Sequence, residues 1–272
     1  MHESEKEYRG RDILHGGDLM SYHALAKFAK CPAAFHEAKM GLLKDDDEDH
    51  YRFGRAAHCR ILEGKAEYER RYVFGGPINP KTGAPFGQRT KAYEEWRQEQ
   101  EADGRECISD DDDMKIQFLA NSVERHEIAS DLIQRGETEV VIREKQHGID
   151  CQSRLDLIAS DGVVDLKTCY DLDRFVHDFV RYRYANQLAF YSAMLAHSIG
   201  EMMSSATVIA VEKNPPYRCG VFWIEYSVIN EAWSENKDTF AMYKKCIESD
   251  EWPTLYESER VIGKADVRKF KD

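Results

Sequence analysis

Apolar residues recur at helical spacing through the first half of the chain and alternate through its middle. Leu25, Phe28, Ala29 and Phe35 form one stripe, predicting a helix capped by Ser21, running to about Lys39 and stopped by Gly41. A second helix is expected from about Tyr51 to Leu62, ending near Gly64, with a short strand around Tyr72 to Phe74. GGPINPKTGAPFG at 75–87 reads as a turn-rich loop, followed by helices at about 88–102 and 110–133. The pattern changes at Glu137. Residues 137–144, 149–158 and 163–168 read as strands. Helices are then expected at 172–180 and 184–198, strands at 205–212 and 218–226 around Asn214-Pro215-Pro216, and a last helix at about 228–247. This order predicts an α/β sandwich with a mixed sheet. With no internal repeat or linker, a single domain is expected over 1–272: a mainly helical part (about 1–135), a sheet core (136–226), and a C-terminal helix and tail (227–272).

Strand alternation adds chemistry to this outline. Arg154 and Asp156 share one face of their strand, and Asp165 and Lys167 share one face of the next. A Ser160-Asp161 turn would set Asp156 opposite Asp165, whereas an Asp161-Gly162 turn would set it opposite Lys167; either gathers all three polar groups on one side. Two carboxylates suit Mg²⁺, which also keeps waters and substrate phosphate in its shell. The lysine can orient or deprotonate an attacking water, or stabilise developing charge. An exposed, salt-bridged hairpin would carry the same triplet, and D-x-K alone is a weak pattern. Two further pairs stand four residues apart on expected helices: Gly54 with His58, where a small residue allows close backbone approach, and Gln187 with Tyr191.

Composition changes the picture in two ways. The net charge is −12, which by itself argues against a nucleic-acid partner, but the runs DDDED at 45–49 and DDDD at 110–113 supply nine of the negative charges and leave −3 for the rest. Such runs are expected as solvated loops or helix starts, so a locally basic groove elsewhere is allowed. The seven cysteines are widely spaced, odd in number and free of any CxxC pair. That favours reduced thiols in a cytoplasm, and neither a membrane span nor a secretory leader is expected.

Taken in order, Gly54 and His58, Asp156, Asp165-Leu166-Lys167, and Gln187 with Tyr191 resemble the RecB-type branch of the PD-(D/E)xK nuclease superfamily. Within it the chain is most similar to exonuclease VIII and its phage and prophage relatives, through FGRAAHCRILEG at 53–64, INPKTGAPFGQRTKAYEEW at 78–96, RYRYANQLAFYSAML at 181–195 and IAVEKNPPYRCGVFWI at 209–224. The resemblance spans about residues 13 to 250. It implies a restriction-endonuclease-like core, a central mixed sheet flanked by helices with an N-terminal helical elaboration. It also implies metal ligation by His58, Asp156, Asp165 and the Leu166 backbone carbonyl, with Glu139 as an outer ligand. Lys167 would act on the water nucleophile, and Gln187 and Tyr191 would hold the DNA backbone or scissile phosphate. The implied cofactor is Mg²⁺, with Mn²⁺ as a substitute. The implied activity is 5′-to-3′ degradation of linear double-stranded DNA, leaving 3′ strands for a single-strand annealing protein in phage-type recombination. A ring-shaped homo-oligomer, trimer or tetramer, goes with it, in the cytoplasm of a bacterial host cell.

Two departures stand out. Leu155 replaces the proline of the motif's name. Cys31 sits where some relatives place one ligand of an iron–sulfur cluster, but only Cys219 and Cys246 follow the core, so no cluster is expected. Arg52, Arg55, Arg181 and Arg183 flank the site residues in sequence and are candidate phosphate contacts, which position DNA without reading its sequence. Two other functions remain open: an endonuclease on the same fold, and a catalytically inactive DNA-binding recombination accessory protein.

Overall fold

The computed structural model describes residues 5–43, 49–160, 162–201 and 205–263. Most of the acidic run at 45–49 therefore lies outside the described residues. A short helix, α1 (Glu5–Gly10), precedes Ser21, whose Oγ accepts a hydrogen bond from the Ala24 N–H at 3.1 Å and opens α2 (Tyr22–Lys30). The expected single helix to Lys39 is instead two, because α3 (Pro32–Lys39) starts afresh. Pro32 has no N–H and pushes Cys31 into an extended conformation (φ −163°, ψ 99°), so the chain bends between the two helices.

The next helix is α4 (Asp49–His58), and α5 (Lys65–Arg71), which the sequence reading missed, leads into β1 (Tyr72–Val73). Thr90 caps α6 (Lys91–Ala102), after which β2 (Glu106–Cys107) pairs in parallel with β1. The helix expected at 110–133 is also two, α7 (Asp110–Arg125) and α8 (Glu127–Arg135). His126 separates them, its Nδ1 accepting from the Ala129 N–H at 3.3 Å as an N-cap. The four aspartates of the second acidic run occupy the first turn of α7, where the helix dipole favours negative charge.

Strands β3 (Glu137–Gln146), β4 (Ile149–Ala159) and β5 (Gly162–Cys169) follow, then α9 (Phe175–Arg181), α10 (Tyr184–Ile199), β6 (Ser205–Glu212), β7 (Cys219–Ile224) and α11 (Tyr226–Ser249). The five long strands form one sheet in the order β3-β4-β5-β6-β7. β4–β5 and β6–β7 pair antiparallel, whereas β5–β6 pair in parallel across the α9–α10 connection. The sheet is mixed, as predicted. At Gly162 the β6 backbone comes so near that an added Cβ would stand 1.9 Å from the Ser205 carbonyl oxygen, which excludes any larger residue.

The backbone gathers into two compact units, one of residues 1–45, 145–151 and 235–272, the other of 46–144 and 152–234. In the first, Phe28 meets Phe35 and Tyr243 edge to face at 5.5 and 5.1 Å, and Trp252 stacks on His36 at 4.3 Å. In the second, Leu157, Val164, Leu166, Ile209 and Val211 from the sheet pack with Ala57, Ile116, Leu119 and Val123 from α4 and α7. No helix among the described residues is long and apolar enough to cross a membrane.

One polar clamp ties the strand ends of this second unit. Glu212 is 4% exposed and accepts from the Leu172 N–H at 2.8 Å and from Arg218 Nη2 and Nε at 2.6 and 2.9 Å. The Arg218 hydrogen bonds, outweighing burial, hold its carboxyl at about 2. A carboxyl depressed in this way stabilises the fold above the unfolded value near 4.5, and that stability is lost as pH falls towards 2. Glu212→Gln is expected to lower stability at pH 7 by roughly 1–3 kcal/mol, with solvent around Arg218 keeping the loss at the lower end. In urea titrations the gap between variant and parent should close as the buffer is taken from pH 5 to pH 2.

Candidate active site

The ladder between β4 and β5 pairs Ala159 with Gly162, Ile158 with Val163, and Leu157 with Val164. This is the register expected of a Ser160-Asp161 turn, and it brings Asp156 level with Asp165; Asp161 itself lies outside the described residues. At the next position a side chain takes over from the backbone. Asp156 Oδ2 accepts a hydrogen bond from the Leu166 N–H at 2.8 Å. The same oxygen lies 3.5 Å from Nδ1 of His58, the last residue of α4. Directly after His58 the helix widens into a π-helical turn over Cys59–Glu63, a distortion common at functional positions. It buries Cys59 and Leu62 in the core, while the His58 side chain stays one-quarter exposed at the hairpin.

Lys167 completes the group. Its Nζ lies 2.6 Å from Asp165 Oδ2 in a close, buried ion pair, and no other donor among the described residues reaches that oxygen. Burial pushes the Asp165 carboxyl up to about 6; Lys167 opposes this, and the charge of Asp156 adds to it. Asp156 moves the other way. Burial would raise it, but His58, Lys167 and the Leu166 N–H together hold it below the usual carboxylate range. For Lys167, burial works against the ammonium, and Asp165 and Asp156 more than compensate, so its pKa is raised. For His58 burial is likewise outweighed, by the charge and hydrogen bond of Asp156, and the net shift is upward. Two neighbouring carboxylates thus shift in opposite directions beside a cationic lysine.

Around this centre the expected residues are placed unevenly. Glu139 forms an ion pair with Arg154 and has a left-handed backbone (φ 57°) within β3. Burial and the Asp156 charge push its carboxyl up to about 7 despite Arg154. Gln187 and Tyr191 lie on α10, which packs on β5, and they bond each other, Gln187 Nε2 donating to the Tyr191 hydroxyl at 2.9 Å. Arg52 and Arg55 both reach Glu106 of β2, at 4.0 and 3.0 Å. Arg181 lies over the Tyr182 ring at 5.4 Å, and Arg183 takes the left-handed N-cap position of α10; both are exposed. The close approach expected at Gly54 is absent. A Cβ there would meet nothing described within 4 Å, and nothing in the structure explains the glycine. Sequence reasoning missed Tyr184, whose ring centroid lies 4.8 Å from Lys167 Nζ. Its signal was available in the spacing, because Tyr184, Gln187 and Tyr191 fall on one stripe of α10.

A buried carboxylate whose close contact is the Lys167 ammonium, beside a second carboxylate and an imidazole, offers the hard oxygens that a divalent cation takes. Among the described residues no three His, Cys, Asp or Glu side chains are gathered closely enough to enclose an ion by themselves. Mg²⁺ needs no such cage, since it takes one or two carboxylates and fills its shell with water and phosphate.

Residues 21–262 match the family described as "PDDEXK-like domain of unknown function (DUF3799)". The chain belongs to this family. No curated protein matches it. Among solved structures, a candidate exonuclease from Eubacterium rectale is similar over 97% of this chain and 96% of its own, with a TM-score of 0.66 and 16% identity. That likeness establishes the fold, and a PDDEXK-like fold is what the resemblance of the ordered motif set implied. A phage-related exonuclease from Haemophilus somnus covers 72% of this chain and 95% of its own at 12% identity and a TM-score of 0.34. LHK-Exo, in complex with dAMP, covers 74% and 95% at 14% identity and a TM-score of 0.29.

Proposed function

We propose that this PDDEXK-like domain is a Mg²⁺-dependent exodeoxyribonuclease that degrades linear double-stranded DNA from the 5′ end. The observation that carries this reading is the pairing of two carboxylates, Asp156 and Asp165, with His58 3.5 Å from the first and Lys167 2.6 Å from the second. Asp156, Asp165, His58 and the Leu166 carbonyl would hold the cation, which when bound supplies charge neutralisation at the phosphate and a more acidic water. The protein's own part is the alignment of that water and of the scissile phosphate. Lys167, kept cationic by two carboxylates, orients the water and balances charge building on the phosphate oxygens. Gln187 and Tyr191, locked together on α10, present an amide and a phenol to the DNA backbone. Arg181, exposed at the end of α9, and Arg183, exposed at the N-cap of α10, extend that contact to further phosphates; Arg52 and Arg55 pair with Glu106. A ring of three or four copies and an annealing protein that takes up the 3′ strand complete the reading, by resemblance to the exonuclease VIII group.

End-labelled linear duplex and covalently closed circular duplex, each with Mg²⁺ and with EDTA, test it. Release of 5′ label as mononucleotides, abolished by EDTA and absent from the circle, is the expected result. Cutting of the circle would replace the exonuclease by an endonuclease. Binding of linear duplex without cleavage under any divalent cation would overturn catalysis altogether.

A further inference from the structure

Lys167 enters the site on a stem with four rotatable bonds, and its ammonium carries three N–H donors. Its side chain is 16% exposed, and the nearest carboxylate oxygen, Asp165 Oδ2, lies on one side of it at 2.6 Å. The 2.6 Å ion pair with Asp165 and the charge of Asp156 keep the group protonated, but a single close contact on one side leaves the nitrogen free to swing about it. The second wall of its pocket is aromatic: the face of Tyr184, with the centroid 4.8 Å from Nζ. That lies within the roughly 6 Å over which a ring quadrupole attracts a cation.

The ring is itself held in place. Tyr184 is the first residue of α10, and the Arg183 before it is fixed in the left-handed region (φ 56°). Tyr182, Phe179 and Phe175 surround it with centroids 5.7, 6.2 and 6.3 Å away, Phe179 edge-on. An aromatic surface on one side and the Asp165 carboxylate on the other define one position for a mobile ammonium. We propose that Tyr184 is a positioning residue, whose ring face holds the Lys167 ammonium at the reacting centre. The inference rests on the nuclease reading above and adds to it a residue outside the motif set. The ring does the holding, and the hydroxyl is dispensable.

The test is a kinetic series on the full chain with linear duplex and Mg²⁺. Tyr184→Phe should keep kcat within about two-fold of the parent, and Tyr184→Leu should lower it by about ten- to thirty-fold, the size of a desolvated cation–ring contact. KM for DNA and the Mg²⁺ concentration for half-maximal rate should stay unchanged in both. Because Tyr184→Leu also removes packing against Phe175 and Phe179, a second series keeps the shape constant: phenylalanine at 184 carrying one, two and three ring fluorines. Fluorination drains the ring's negative face, so kcat should fall stepwise while the urea midpoint holds. A flat fluorine series, or a Tyr184→Phe variant as slow as Tyr184→Leu, overturns the proposal while leaving the nuclease reading intact. A parent protein that cleaves no DNA with any divalent cation overturns both.

Discussion

Lys167→Met is expected to reduce kcat by at least about a hundred-fold and to destabilise the fold in a pH-dependent way. Methionine keeps the volume but removes the one ammonium that faces Asp165 and Asp156. Stripping one partner from a buried ion pair costs roughly 3 kcal/mol at neutral pH, because the remaining charge stays desolvated. The sign of the pH effect follows from Asp165. Its carboxyl already stands at about 6 in the folded protein, above the 3.8 of an unperturbed aspartate. A group raised in this way contributes its full stability below about pH 4 and loses it as pH rises through about 6. Removing the lysine, which pulls the value down, moves that window further up. Urea midpoints measured from pH 4 to pH 8 should therefore show the variant close to the parent at the acid end and far below it at the neutral end. A deficit constant across that range would mean that Lys167 and Asp165 do not share a buried pair.

Asp156 allows catalysis and folding to be separated. Asp156→Ala removes the acceptor of the Leu166 N–H and leaves a buried donor unsatisfied, at a cost of about 1–3 kcal/mol, and activity is lost with it. Asp156→Asn keeps an oxygen at the same place, so stability should stay within about 1 kcal/mol of the parent while activity is still lost. In both variants His58 loses the partner that raises its pKa, and burial, the opposing influence, remains. The His58 titration, followed by NMR, should shift downward. Equal melting of the two variants would exclude the hydrogen bond to Leu166 as a structural element.

What the sequence disclosed, and what it hid, divides along physical lines. The period of two through Arg154, Asp156, Asp165 and Lys167 was legible because a strand has one alternation and a short turn allows few registers. The Ser21 cap acts where its side-chain chemistry suggests, whereas the helix expected from about residue 88 starts at Lys91, after the Thr90 cap that the sequence reading did not name. The break at Pro32 was obscured because Leu25, Phe28 and Phe35 keep one buried stripe on both sides of it, so periodicity ran through the bend. The break at His126 has no glycine or proline to announce it. It depends on an imidazole accepting a backbone hydrogen bond, a role histidine seldom advertises. The two-residue strand Glu106–Cys107 is shorter than any alternation can reveal. Within the site, the acidic pair, the lysine and the imidazole could be picked out by type. The Glu139–Arg154 ion pair could not, nor could the contact of Tyr184 with Lys167, since both depend on which strands and helices become neighbours; the spacing placed Tyr184 only on the Gln187–Tyr191 stripe.

The widened turn after His58 makes the chain length between that residue and Gly64 critical. An ordinary α-helical turn spends 3.6 residues, so deleting one residue from 59–63 would swing everything beyond it by about 100° about the helix axis. Either Cys59 and Leu62 would leave the hydrophobic interior or the imidazole would leave the acids. Functional relatives should therefore keep the length of this stretch and the apolar character at 59 and 62.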